Sequence, residues 1–181
     1  MKDAQQIWIT AGYELFALHG DAGLKVETLA KKAGISKSSF YHHFADTAIF
    51  LEILLSHHLV QVKILAEKEN AVKRIDPELI HILIAHKTDL LFNRQLRFHS
   101  NNTTYKSTLE KSNRIIGTDF VQVWKKDLQL KLSIDQLLGI FELALENFFL
   151  QINPENINYT WLSQYFAELK VISRKLDTGA C

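Results

Sequence analysis

Apolar residues recur along this chain at three- and four-residue steps, the period of helices that each bury one face. Over residues 2–19, Ile7, Ala11, Leu15 and Leu18 form such a stripe, with Trp8 and Phe16 beside it, and Gly20 closes the helix. A short helix is expected over residues 26–33, stopped by Gly34, and a second from its N-cap Ser36 to about Phe44. Asp46 can cap a long helix that continues through Leu51, Leu54, Leu55, Leu59 and Val62 to about Asn70. Asp76-Pro77 starts another, with the aspartate as cap and the proline in the first helical position, running to about Asn93. Residues 94–104 read as a polar connector with room for a short helix, before a long helix over about 105–130. Ser133 caps a helix over 134–152, and a final one follows over about 159–175 after the loop 153–156, with a frayed tail beyond. No strand alternation or internal repeat interrupts the pattern. It predicts an all-α fold of about nine helices, the first three short or amino-terminal and the rest mostly long.

Composition narrows this picture. A chain of 181 residues, 47% of them hydrophobic, can build a small unit and a larger packed one, and two prolines with seven glycines suit long helices. The single cysteine, Cys181, allows neither an intramolecular disulfide nor a cysteine-based zinc site, which fits a reducing compartment. The start of the chain lacks the apolar stretch of a signal peptide, and no run approaches about eighteen apolar residues, so a cytoplasmic protein without a membrane partner is expected. The eight histidines include the adjacent pairs His42-His43 and His57-His58, which point in different directions on a helix, and His81 and His86 stand five apart. None of these spacings makes a metal site. With no glycine-rich phosphate loop and no nucleophile motif, no cofactor, no metal and no enzymatic activity are expected.

A net charge of +1 says little about partners, but its distribution says more. Between residues 25 and 44, Lys25, Lys31, Lys32 and Lys37 face a single acid, Glu27, for a local +3 with His42 and His43 beside it. Charge alone would make this an ordinary solvated face. The sequence around it adds a specific architecture. Ala30 and Ala33 are small enough for two short helices to cross steeply, Gly34 tolerates the left-handed backbone of a tight turn, and Ile35 can anchor that turn in the core. Leu29, Phe40 and Phe44 bury the inner faces. Lys37, Ser38, Ser39, Tyr41, His42 and His43 are left along the outer side of the second helix. In a helix-turn-helix, the amino-terminal part of that helix enters the major groove of DNA.

The segment resembles the DNA-binding region of the TetR family of bacterial repressors. The likeness runs from Ala11, Leu15, Phe16 and Gly20 through Leu29-Ala30, Ala33-Gly34-Ile35-Ser36-Lys37 and Phe40-Tyr41-His42-His43-Phe44 to Leu51, roughly the first fifty residues. The resemblance implies that Ser36 caps the recognition helix and can bind a phosphate, and that Lys37 meets a phosphate or a base edge. It places Ser38 and Ser39 toward the groove floor, gives the Tyr41 hydroxyl to a phosphate, and turns His42 to the DNA backbone or a base. Thr28 would reach DNA from the preceding helix. Two positions depart from the family pattern: Lys25 stands where a threonine is frequent, and Thr47 where a lysine is common. Both can still meet phosphate, but one lysine contact fewer flattens the salt dependence and weakens non-specific affinity.

Residues 134–152 are apolar almost all round and need cover on two sides. Homodimerisation is the natural reading, through Leu138, Phe141, Leu145 and Phe148 with Trp161, Tyr165, Phe166 and Leu169. The resemblance implies a four-helix bundle made by the last two helices of each copy, with two recognition helices about one DNA turn or further apart on a palindrome. It also implies a pocket in the body, for which His86, Phe92, Phe98, Tyr105, Asn113, Phe120, Trp124 and Asn147 are candidates, although residues of these kinds are more often core or surface than ligand contacts. The expected organisation is a DNA-binding domain over 1–46 and a sensing and dimerisation domain over 47–181. The expected function is a regulator, most simply a repressor, that binds double-stranded operator DNA and is released by a small apolar effector. The alternative is a helical ligand-binding or interaction protein that has lost specific DNA binding.

Overall fold

In a computed structural model, described over residues 4–116, 119–129 and 131–178, the chain is all helical, with ten α-helices and no strand among the described residues. They are α1 (Ala4–His19), α2 (Val26–Ala33), α3 (Lys37–His43), α4 (Thr47–Ala71), α5 (Ile80–Ala85), α6 (Lys87–Phe98), α7 (Thr103–Ile116), α8 (Asp119–Leu128), α9 (Ile134–Gln151) and α10 (Tyr159–Thr178). A 3-10 segment, Gly20–Leu24, follows α1, and a π-helical turn, Ile75–Leu79, precedes α5. Two compact units form: Met1–Val62 with Thr88–Ser112, and Lys63–Lys87 with Asn113–Cys181.

The first unit is organised around aromatic rings. Trp8, Phe16, Phe40, Phe50 and Phe92 are fully buried. Phe92 stacks on Tyr13 with centroids 4.5 Å apart and lies 4.4 Å from Phe16. Gly12 is what lets α1 lie against α4: a Cβ there would come within 2.5 Å of the Phe50 ring. Asp46 caps α4 as its sequence predicts, its Oδ1 accepting the Ile49 N–H at 2.8 Å. By length and composition α4 could cross a membrane. It nevertheless buries Phe50, Leu54, Leu55 and Val62 in this unit, as a core helix does.

The second unit has its core at Ile75, Leu79, Ile80, Trp124, Leu137, Ile152 and Leu162. Ser133 makes a complete capping box with Gln136 at the start of α9. Three sequence expectations need correction here. Asp76 does not serve as a helix cap: its carboxylate instead accepts hydrogen bonds from the hydroxyls of Tyr159 at 2.5 Å and Ser163 at 2.7 Å, tying the π turn to α10. The helix expected over 76–93 breaks at His86, and the next one, α6, extends through much of the supposed connector to Phe98. The long helix expected over 105–130 consists of α7 and α8, with 117 and 118 outside the described residues, as is Cys181.

Candidate nucleic-acid interface

The turn between α2 and α3 is built by backbone chemistry that the sequence dictates. Gly34 sits in the left-handed region, at φ 68°, and its N–H donates to the Ala30 carbonyl at 2.9 Å to close α2. No atom lies within 4 Å of where a Cβ would stand, so the glycine answers to the backbone conformation and not to crowding. Ser36 is extended, and α3 begins at the next residue. One side of α3 is fixed by Phe40, whose ring meets Trp8 edge-on at 5.4 Å and Phe50 at 5.3 Å, and by Phe44 behind it, 4.7 Å from Phe50. Leu29 is likewise fully buried.

This clamp leaves the other side of α3 in solvent. Lys37, Ser38, His42 and His43 are exposed, as is Tyr41, at 60%. Ser36, Lys25 ahead of α2 and Thr47 at the start of α4 are exposed as well, while Thr28 and Ser39 are half-buried. The expected contact residues therefore all lie in one unit, on α2, α3 and their flanks. Two details differ from expectation. The Ser36 side chain makes no cap bond; its Oγ lies 3.0 Å from Ser38 Oγ, and the Ser36 carbonyl accepts from the Ser39 N–H. Ile35 is half-buried, so the turn is anchored mainly by Leu29 and Phe40.

The charges are paired in a way that sequence reasoning missed. Lys37 Nζ lies 2.6 Å from Glu27 Oε1, across the turn, and Lys32 Nζ lies 2.7 Å from Glu14 Oε2 on α1. The hydrogen bond from Lys37, helped by a backbone hydrogen bond and the lysine's charge, holds the Glu27 carboxyl below its usual range. The lone acid among four lysines was the available signal. Its partner, ten residues away, follows only once the turn is built.

A buried polar strut in the same unit joins α1, α4 and α6. Tyr13 donates its hydroxyl proton to Asp89 Oδ1 at 2.8 Å, and its oxygen lies 2.8 Å from His58 Nδ1. A hydroxyl has one proton, so His58 Nδ1 must donate to Tyr13 and the ring is neutral at Nε2. Burial, with the neighbouring His57 charge, pushes the His58 value down from 6.5 to about 3. Burial foremost, and then Asp89, raises the Tyr13 phenol. Phe92, a pocket candidate, stacks on this His58 ring at 4.5 Å and is wholly core.

The other pocket candidates are divided between the two units. Tyr105 is buried in the first unit and donates to Asp21, and Phe98 is exposed with the Arg94 guanidinium 4.3 Å over its ring. In the second unit His86 is buried beside Lys68 Nζ at 2.8 Å, Trp124 is buried against Phe141, and Asn147 accepts from Gln151 on the surface. The Phe120 side chain lies outside the described residues. Asn113 lines a cleft of about 510 Å3 with Arg114, Ile116, Leu138, Phe141 and Leu145, so one pocket candidate shares a surface with three expected interface residues. Among the remaining expected interface residues, Phe148 and Tyr165 are buried within the unit, while Trp161, Phe166 and Leu169 are half-buried. The apolar residues that stand out instead are Leu143, at 76% exposure, with Leu150 on α9 and Val171, Ile172 and Leu176 on α10.

Comparison with known proteins agrees with this geometry. Residues 9–52, which span α1 to the start of α4, match the family model described as bacterial regulatory proteins, tetR family. No curated protein matches the chain. Solved structures with the same fold include a protein from Rhodococcus sp., 17% identical with a TM-score of 0.55, covering 96% of this chain and 100% of its own. Another, from Mesorhizobium loti MAFF303099, is 14% identical with a TM-score of 0.56 and covers 96% of each chain. A third, from Shewanella sp. PV-4, is 19% identical with a TM-score of 0.51, covering 94% of this chain and 98% of its own. All three are described as TetR-family transcriptional regulators, and at these identities the likeness is one of fold. The chain thus carries, over residues 9–52, a segment that matches the model of the tetR family of bacterial regulatory proteins, and as a whole it shares its helical fold with solved proteins described as regulators of that family.

Proposed function

We propose that this protein is a ligand-responsive transcriptional regulator, most simply a repressor, that binds a palindromic operator as a homodimer. The observation that carries the reading is the division of α3. Phe40 is locked into the aromatic core, while Lys37, Ser38, Tyr41, His42 and His43 project into solvent from the same seven-residue helix. A helix presented in this way fits the major groove, with hydroxyls and cations placed for phosphates and base edges. Lys25, Thr28, Ser36, Ser39 and Thr47 flank it as further contacts. Residues 1–46 carry the DNA-binding role and 47–181 the sensing and pairing roles. Sequence-specific retardation of the DNA flanking the protein's own gene tests this. Lys37→Ala and Tyr41→Phe should each weaken the shift about tenfold, the loss typical of a charged or hydroxyl contact in such an interface. An undiminished shift in both variants would contradict the assignment.

Pairing is supported by the apolar side chains exposed on α9 and α10. Leu143 and Leu150 stand seven residues apart on one face of α9. Covering them against a second copy recovers about 25 cal/mol for each Å2 of apolar surface. Sedimentation at micromolar concentration should show a dimer that Leu143→Glu converts to monomer. A monomeric wild type would contradict the pairing. An effector of small, largely apolar character would act by favouring a conformation of the body in which the two recognition helices are wrongly spaced.

A further inference from the structure

The lysine best placed to meet DNA at the start of α3 is already engaged. Lys37 Nζ and Glu27 Oε1 are 2.6 Å apart, and both side chains are more than half exposed. The pair can therefore open and reclose without unfolding anything. Glu27 lies in the first turn of α2, so the bond crosses the helix-turn-helix and reaches the first residue of the recognition helix. It stands among the lysines of the proposed contact surface, where a phosphate would have to approach. Lys32 is engaged in the same way by Glu14, so two of the four lysines of this segment are met by acids of their own unit. Exposed ion pairs are weak, and a phosphate in good register can displace one while a poorly placed phosphate gains little.

We propose that Glu27 is a positioning and selectivity residue: it holds Lys37 in an internal ion pair that DNA must displace, and so discriminates against non-operator DNA. The pair works as an internal competitor. On non-operator duplex, where binding is purely electrostatic, losing the Lys37 charge to Glu27 removes one phosphate contact's worth of counterion release. On the operator, base-edge and hydroxyl contacts hold the helix in register and draw Lys37 away from Glu27. The carboxylate thus lowers non-specific affinity more than specific affinity. The inference rests on the DNA-binding function proposed above.

Fluorescence anisotropy tests it, using the full chain as wild type, Glu27→Gln, Lys37→Ala and the double variant. Each is titrated with a random-sequence duplex and with the retarded operator fragment, between about 50 and about 200 mM salt. Glu27→Gln should tighten random-duplex binding roughly threefold to fivefold at low salt and change operator binding less. Its log-log salt slope on random duplex should steepen by about 0.9, the increment for one added phosphate contact. In the Lys37→Ala background the same substitution should lose most of both effects, because Glu27 acts through Lys37. Unchanged or weaker random-duplex binding by Glu27→Gln would overturn the proposal, as would an effect that persists in full without Lys37. Failure of the wild type and of Glu27→Gln to hold either duplex at the lowest salt would instead overturn the DNA-binding reading, and this assignment with it.

Discussion

Replacing Phe40 with alanine should destabilise the amino-terminal unit by about 3–5 kcal/mol, the range for deleting a buried aromatic ring from a well-packed core. Phe40 is wholly buried, and its ring is in contact distance of Trp8, Tyr41, Phe44 and Phe50. The surrounding rings come from α1, α3 and the start of α4, so a cavity here loosens every element that presents α3. Against a total of about 5–15 kcal/mol for a typical domain, the loss is large enough to abolish DNA binding in a residue that touches no DNA. Phe40→Leu keeps most of the volume and should cost about 1–1.5 kcal/mol. Urea denaturation followed by tryptophan fluorescence measures both, since Trp8 lies against this ring. A Phe40→Ala loss below about 1 kcal/mol would mean that α3 is held by something other than the aromatic cluster.

Glu69→Gln should stabilise the protein at alkaline pH and leave it almost unchanged at pH 4. Burial raises the Glu69 carboxyl from 4.5 to about 8. Its proton is therefore kept in the fold but released from the unfolded chain across that interval. Stability from this group is complete below pH 4.5 and is lost as pH rises toward 8. At about 1.36 kcal/mol per pH unit the loss reaches roughly 3 kcal/mol near pH 7, an upper bound because water can reach a partly opened site. Glutamine keeps the shape and has no proton to lose. His58 slopes the other way: its folded value of about 3 lies below the ordinary 6.5, so its contribution is present above pH 6.5 and is lost as the pH falls toward 3. The two groups oppose each other between pH 4.5 and 6.5, so the informative quantity is the difference between wild type and Glu69→Gln. Thermal melts at pH 5 and pH 8 should show a gap in Tm that widens with pH. A gap independent of pH would show that Glu69 ionises freely in the fold.

The helix-turn-helix is legible in the sequence because its determinants are local. Gly34 needs no distant partner to adopt its positive φ, and the four-residue spacing of Phe40 and Phe44 places both rings on one side of a short helix whatever they pack against. The His57-His58 pair is legible to the same extent: adjacency on a helix separates the two directions, and His58 is buried while His57 is half exposed. What it cannot give is Tyr13, which meets His58 from 45 residues before, or Asp89, which accepts from Tyr13 across 76 residues. The supposed cap at Asp76 fails for the same reason, because Tyr159 and Ser163 arrive from more than 80 residues away and take its carboxylate. The family resemblance implied a pocket with aromatic candidates in the middle of the chain, yet the sequence does not tell a ring stacked in a core, such as Phe92, from one lining a cavity. On α9 the all-round apolar pattern is real. The residues left uncovered are Leu143 and Leu150, while Phe148 turns inward to Tyr165.

If the outer face of α3 reads DNA, selection of bound sequences from a pool of random duplexes will reveal it. The wild-type protein should enrich an inverted repeat whose half-site centres lie about one helical turn apart or further. Selection with Ser38→Ala and Ser39→Ala should relax the choice of base at the same position in both half-sites. Recovery of duplexes with no shared sequence by a folded wild-type protein would contradict the account.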